Sequence, residues 1–129
     1  MNQDKKTLSI MQPTFIPYIG YFKLIKISNF FVFLNDVQFE KQSWQTRNKI
    51  LIDNEPKWLA LRIVKKKLET NINLIKLFNH KYFFSKISKT FIQEYSNTKC
   101  FKDAIEIIDF IKDNQSENLA EINISIIKF

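Results

Sequence analysis

Three groups of polar side chains in the first half of the chain could orient a small anionic ligand. They supply one carboxylate, one guanidinium and several amides and phenols. A guanidinium matches the geometry of phosphate, amides bond to hydroxyls, and an aromatic ring can stack on a base or a sugar. This combination indicates a nucleotide-linked sugar as ligand. The groups are Gln12 with Tyr18 and Tyr21, Asp36 with Gln38, and Arg47 with Asn48, accompanied by the aromatic residues Phe39 and Trp44.

Two residues could act as a general base. Asp36 is a carboxylate, and His80 is a histidine, the side chain most often used for this role. In a glycyl or acyl transfer, the base would deprotonate a sugar amine as it attacks an activated carbonyl. Structural alternatives stay open: Asp36 and Arg47 could form an ion pair, His80 could be a core residue, and Phe39 and Trp44 could cover the core.

The first polar group falls between two apolar runs of strand length, Thr7 to Met11 and Phe30 to Leu34. The pattern predicts a strand, a loop, a short helix beginning near Gly20, and a second strand. Ligands of open α/β sheets bind where such loops leave the strands.

Gly20 is the only glycine of the chain and follows two prolines, Pro13 and Pro17. The prolines should push Gln12 and Ile16 towards extended backbone and stiffen the loop. The glycine predicts either a positive φ or a close approach to the main chain, and a simple tight turn is the alternative.

The rest of the chain predicts a β-hairpin followed by helices, so the fold class is α/β. The last helix, with Ser116 as its N-cap, carries a wide apolar face that we expect to need a partner, either a second copy or a second chain. The expected elements are strands over 47 to 52 and 57 to 64 around a turn at 53 to 56, one long helix or a broken pair from 71 to 95, a helix over 101 to 112, and a last helix ending at 128.

The order and spacing of these residues resemble the opening of the WbqC-like family of bacterial proteins. The likeness is strongest over residues 8 to 52 and fades afterwards, where His80 and Tyr95 still match. The motifs that carry it are Gln12-Pro13, Gly20-Tyr21, Asp36-Val37-Gln38, Trp44 and Arg47-Asn48.

Family members usually accompany the machinery for O-antigen and other surface polysaccharides, and some are described as glycine transferases acting on amino sugars. The resemblance implies a protein that transfers an aminoacyl (glycyl) or acyl group to an amino-sugar nucleotide. Positioning and proton transfer can account for this chemistry without a cofactor fixed in the protein, and the chain has no Cys pair or His pair that would indicate a metal site. Asp36 and His80 would be catalytic. The substrate would contact Gln12, Tyr18, Gly20, Tyr21, Gln38, Trp44, Arg47 and Asn48.

Two departures from the family pattern support an alternative. Relatives are longer, so residues 1 to 129 are expected to be one domain that is incomplete at its C-terminus. Asn35 stands where relatives have an acid, which leaves Asp36 alone. The alternative is a truncated, non-catalytic protein that binds a ligand or a partner.

Composition excludes several other classes. One glycine cannot build a P-loop, a dinucleotide fingerprint or a nucleophile elbow, and one cysteine, Cys100, cannot form an internal disulfide. No membrane span or signal peptide is evident, so a cytoplasmic location is expected.

The net charge of +7 is carried almost wholly by lysine, and nucleic-acid binding is a third, weaker hypothesis. The segment from Pro17 to Phe22 is similar in outline to the Pro-x-His-x-Gly-His segment of nucleotidylyltransferases, with Tyr18 and Tyr21 in place of the two histidines. A similar way of holding a nucleotide, without adenylyl transfer, is therefore a further, less favoured alternative.

Overall fold

A computed structural model describes residues 5–65, 67 and 69–129. The protein is α/β and opens with the predicted strand, loop, helix and strand: β1 (Leu8–Met11), α1 (Ile19–Ile27) and β2 (Phe30–Phe33). The two strands pair in parallel, with Leu8 opposite Phe30. The helix covers one face of this pair, because the buried ring of Tyr21 lies 5.5 Å from the ring of Phe31.

The predicted hairpin is confirmed, with different limits: β3 (Arg47–Ile52) pairs with β4 (Glu55–Ala60) in antiparallel fashion. The turn is only two residues long, because Asp53 and Asn54 both take the positive φ, 53° and 59°, that a tight hairpin turn requires. The expectation of a four-residue turn and of a strand reaching residue 64 is therefore wrong.

Pro56 can lie inside β4 because of its register. It stands opposite Leu51, one step from the pair that flanks the turn. In the alternating antiparallel ladder this is a non-hydrogen-bonded pair, so the missing N–H of proline is not needed. The outward N–H and C=O of Leu51 instead both bond to the phenol oxygen of Tyr95, at 2.8 Å each.

Three helices complete the fold: α2 (His80–Tyr95), α3 (Phe101–Asp113) and α4 (Leu119–Lys128). The prediction of a helix from residue 71 is wrong for the chain before His80, where a short 3-10 turn over Ile72–Leu74 is followed by extended chain. The extended chain pairs on both sides, since Leu77 bridges to Ile63 and Lys76 bridges to Asn118. Its alternating buried residues mimicked a helical period in the sequence.

Helix α4 lies in the core of the chain. Most of its apolar residues are buried, Leu119 and Ile122 completely, whereas Ile124 is half-buried and Phe129, just after the helix, is exposed. The prediction that the whole face lacks a cover is therefore wrong. The helix is capped by Asn118, whose side chain accepts the N–H of Glu121 at 3.1 Å. Ser116 is not the cap, because its hydroxyl accepts the N–H of Asn118 instead. The buried part of this face therefore gives no argument for a second chain, and the partner itself stays a prediction.

Candidate ligand site

A cavity of about 360 Å³ opens beside the loop that joins β1 to α1. It begins at Met11, the last residue of β1, and therefore lies where ligands bind in α/β folds. Its walls are mostly apolar, with three hydroxyl-bearing side chains and one carboxamide among them. We refer to it as the loop cavity, and its lining residues are Met11, Thr14, Phe15, Pro17, Tyr18, Tyr21, Trp44 and Asn48.

The loop beside this cavity has an unusual backbone at Ile16. Its φ is 47°, so the expectation that Pro17 would hold Ile16 extended is wrong. A β-branched residue at positive φ costs on the order of 1–3 kcal/mol. The side chain of Asn48 fixes this conformation by donating to the carbonyl of Ile16 at 2.5 Å and, more weakly, to that of Phe15 at 3.4 Å.

Two buried amides support the same loop from beneath. Gln45 donates from Nε2 to Oε1 of Gln12 at 2.7 Å. Asn123 of α4 donates from Nδ2 to the carbonyls of Pro13, at 3.2 Å, and of Gln45, at 2.8 Å. Gln12, predicted to contact substrate, therefore uses its side-chain oxygen within the protein. The sequence contained one signal for Asn123, a polar residue among the isoleucines of the last helix.

Tyr21 is the phenol of the cavity floor. It is 1% exposed, and its hydroxyl donates to the carbonyl of Gln12 at 3.0 Å. Burial raises the pKa of Tyr21 to about 12. The phenol therefore stays protonated near neutral pH, where it can shape the cavity but cannot act as a base.

The raised pKa of Tyr21 predicts a loss of stability at high pH. Below about pH 10 both the folded and the unfolded protein carry the phenol proton, whereas between about pH 10 and 12 only the unfolded protein ionises. The free energy of unfolding should therefore fall by up to about 2–3 kcal/mol across this range. Urea unfolding of the wild type and of Tyr21→Phe checks this, since the variant should lose that part of the pH dependence. An equal slope in both proteins would contradict it.

Gly20 lies under the ring of Tyr18. Its φ is not positive. Of the two predicted reasons for a glycine here, the structure shows the close approach, which is made by the side chain of Tyr18. A Cβ at this position would overlap Cε2 of Tyr18 and lie 2.8 Å from Cζ and 2.9 Å from Oη. The tyrosine ring is 69% exposed and can therefore move away at small cost.

We expect Gly20→Ala to keep the fold and move the ring of Tyr18 off its place at the cavity. Alanine favours a helix over glycine by roughly 1 kcal/mol, so the melting temperature should stay the same or rise slightly. Affinity for a cavity ligand should fall, as measured by calorimetric titration. The matched control is the same change in a Tyr18→Ala background, where it should have no effect; an equal loss there would rule out the ring as the cause.

An exposed pair of tryptophans flanks the loop cavity. The rings of Trp44, a cavity residue, and Trp58, on β4, lie 5.7 Å apart. The guanidinium of Arg47 lies 4.2 Å from the ring centre of Trp58, and the ammonium of Lys49 lies 4.9 Å from it. Within the described residues neither cation has a salt bridge, so the ion pair of Arg47 with Asp36, the structural alternative for these residues, is not seen there. Lys49 was missed, because a single lysine in a lysine-rich chain carries no signal.

The two base candidates lie outside this arrangement. Asp36 is exposed and does not line the loop cavity. Its neighbour Gln38, a predicted substrate contact, does not line the cavity either and forms a β-bridge with Asn71. His80 is the first residue of α2, is 6% exposed, and its Nε2 has no hydrogen-bond partner within the described residues. Phe39 is a core residue, as its structural alternative stated.

Comparison with known proteins adds the family. Residues 12–129 match the WbqC-like protein family. The chain belongs to this family. A 58-residue stretch is 33% identical to a Mycobacterium tuberculosis (strain ATCC 25618 / H37Rv) protein described as uncharacterized protein Rv1507c, and covers 45% of this chain and 25% of that one. The matched stretch thus spans a quarter of the curated relative. No solved structure matches this WbqC-like chain.

In the described residues of this WbqC-like protein, no helix combines the length and the apolar character that crossing a membrane requires. In the same residues, no three His, Cys, Asp or Glu side chains come together in a group that could hold a metal ion.

Proposed function

We propose that this WbqC-like protein binds an amino-sugar nucleotide at the loop cavity and serves surface-polysaccharide (O-antigen) biosynthesis. One observation carries the proposal: two cations without a salt bridge to any described residue lie against Trp58, one of an exposed tryptophan pair at the edge of a preformed cavity. Trp44 belongs to both features, because it lines the cavity and contacts Trp58. The family resemblance supports the biological setting.

Each part of the proposed ligand matches a different group of side chains on this surface. The phosphates lie at Arg47 and Lys49, which bind anions without first breaking a salt bridge. The base stacks on the exposed ring of Trp44, since the two cations already lie over the ring of Trp58; such a stacking contact is typically worth about 1–3 kcal/mol. The sugar enters the cavity, where the carboxamide of Asn48 and the hydroxyl of Thr14 can bond to its hydroxyls.

The reaction that we propose is transfer of a glycyl or acyl group to the amine of the bound sugar. The sugar nitrogen forms a bond to the acyl carbon, the donor's leaving group departs with the electron pair of the broken bond, and the nitrogen releases one proton. Asp36 or His80 would accept that proton.

A second candidate function is ligand binding without catalysis. It is favoured by the position of Asp36 and His80, neither of which lines the loop cavity. Tyr21 does line it, but its pKa of about 12 keeps it protonated. Mass spectrometry of the sugar after incubation with glycyl and acetyl donors separates the two functions, because only an enzyme changes the mass of the amino sugar.

Calorimetric titration with nucleotide-linked amino sugars tests the binding proposal. Arg47→Gln should weaken the affinity about 10- to 100-fold, since a hydrogen bond to a charged group contributes about 1.5–3 kcal/mol. Lys102→Gln, an exposed change on α3 away from the cavity, is the matched control. An affinity that is the same in the wild type and in Arg47→Gln would refute the role of the cation.

A further inference from the structure

A second concavity lies between the β3–β4 hairpin and α2. It encloses about 690 Å³, and its floor includes the buried residues Leu61 and Ile87. Tyr82 and Lys86 line its helix side, and Arg62 lines the side of the chain that leaves β4. We call it the hairpin groove. None of the residues placed in the loop cavity lines it.

The charged residues of the hairpin groove are of one sign. Arg62 and Lys86 line it, and no aspartate or glutamate from the described part of the chain does. Within the described residues, neither cation has a carboxylate at salt-bridge distance. The carbonyl of Arg62 accepts the N–H of Phe78 at 2.8 Å, which holds the arginine's backbone beside the beginning of α2. The groove is therefore complementary to an anion.

Aromatic side chains make the rest of the groove unusual for a protein surface. Tyr82 is 67% exposed, Phe78 is 55% exposed and Trp58 is 49% exposed. Large aromatic residues that remain exposed around one concavity indicate a binding site. Asn79 also lines the groove, and although it precedes α2 its side chain makes no capping bond to that helix, so its amide is available to a ligand.

We propose that the hairpin groove binds a nucleoside phosphate, with the phosphate at Arg62 and Lys86 and the base on the exposed aromatic rings. A guanidinium and an ammonium suit phosphate, the rings suit a base, and the Asn79 amide suits a base edge. Arg47 and Lys49, the cations assigned to the first ligand, do not line this groove.

The position of Trp58 suggests what this second ligand does. Its ring lines the hairpin groove and contacts Trp44, which lines the loop cavity. Two ligands bound on either side of this pair would be neighbours, as an acceptor and an activated donor must be. This role, unlike the binding itself, rests on the proposed function: the groove holds an acyl group joined to a nucleotide phosphate as a mixed anhydride. Attack by the sugar amine forms the C–N bond and breaks the acyl C–O bond. The nucleoside monophosphate leaves with that electron pair, and the amine gives up one proton to the base of the proposed function, Asp36 or His80.

Equilibrium titration of the whole chain with AMP, GMP, CMP and UMP tests the proposal. At least one should bind the wild type, and Arg62→Gln combined with Lys86→Gln should weaken it by about tenfold or more. Lys89→Gln, an exposed change on the same helix outside the groove, should leave the affinity unchanged. Tyr82→Leu should weaken binding of the nucleotide but not of inorganic pyrophosphate, which has no base.

Three results would overturn the proposal: no binding of any of the four nucleotides, binding that the double variant does not weaken, or binding that Arg47→Gln weakens equally. The last result would assign the nucleotide to the loop cavity. A parallel titration with the amino-sugar nucleotides separates the two hypotheses. If they fail to bind while a mononucleotide binds in the groove, the proposed function falls and the groove site stands.

Discussion

Replacing Asn123 with leucine is expected to lower the free energy of unfolding by about 2–5 kcal/mol. The asparagine is fully buried and donates to the carbonyls of Pro13 and Gln45. Leucine fits the helix but cannot donate, so it leaves both carbonyls unpaired, each at a cost of about 1–3 kcal/mol. The melting temperature, followed by circular dichroism, should fall by roughly 6–15 °C.

Asn97→Leu is the matched control for this change. Asn97 is exposed between α2 and α3, so the same substitution there should shift the melting temperature by about 2 °C or less. If Asn123→Leu and this control have the same melting temperature, the buried amide does not support the loop.

Disabling Asn48 is expected to have the largest effect on ligand affinity, a loss of about 100-fold. Its Nδ2 holds Ile16 at positive φ, while its Oδ1 accepts the N–H of Lys49 at 2.7 Å. Asn48→Asp keeps the acceptor and removes the donor, so the strained backbone should relax and change the shape of the cavity. Loss of a preorganised conformation then reduces binding, as calorimetric titration can measure.

Hydrogen exchange gives a second measure of Asn48→Asp that does not depend on the ligand. The amides of residues 14 to 18 should exchange faster in the variant, because the loop loses its only side-chain bond to the carbonyl of Ile16 among the described residues. Glu55→Gln, on the exposed end of β4, should leave this exchange unaltered. Protection that persists in Asn48→Asp would mean that other contacts fix the loop.

Elements with a local cause were predictable from the sequence. Apolar runs gave the two parallel strands, a proline-bracketed glycine marked the start of α1, and the Asp53-Asn54 pair lies in the predicted turn. The chain from residue 75 to 78 was not predictable, because it is extended only through its pairing with Ile63 and Asn118, which are distant in sequence. Local periodicity cannot distinguish such a segment from a helix.

The residues of the candidate site were likewise predictable only in part. Tyr18, Tyr21, Trp44 and Asn48 were expected together, and the structure places them around one cavity, although their role in binding stays a prediction. Asp36 was grouped with them because it follows β2, yet it does not line that cavity. A sequence motif fixes which residues leave adjacent strands, but the course of each loop decides which of them meet.

The support of the loop by Asn123 has a consequence for synthesis of the protein on the ribosome. Its hydrogen bond to the carbonyl of Pro13 joins residues 110 positions apart. At roughly 5–20 residues per second, the loop is made on the order of 5–20 s before the amide that supports it. The loop therefore receives this support only after α4 leaves the exit tunnel, and a nascent chain that still lacks α4 has the loop without the amide that holds it.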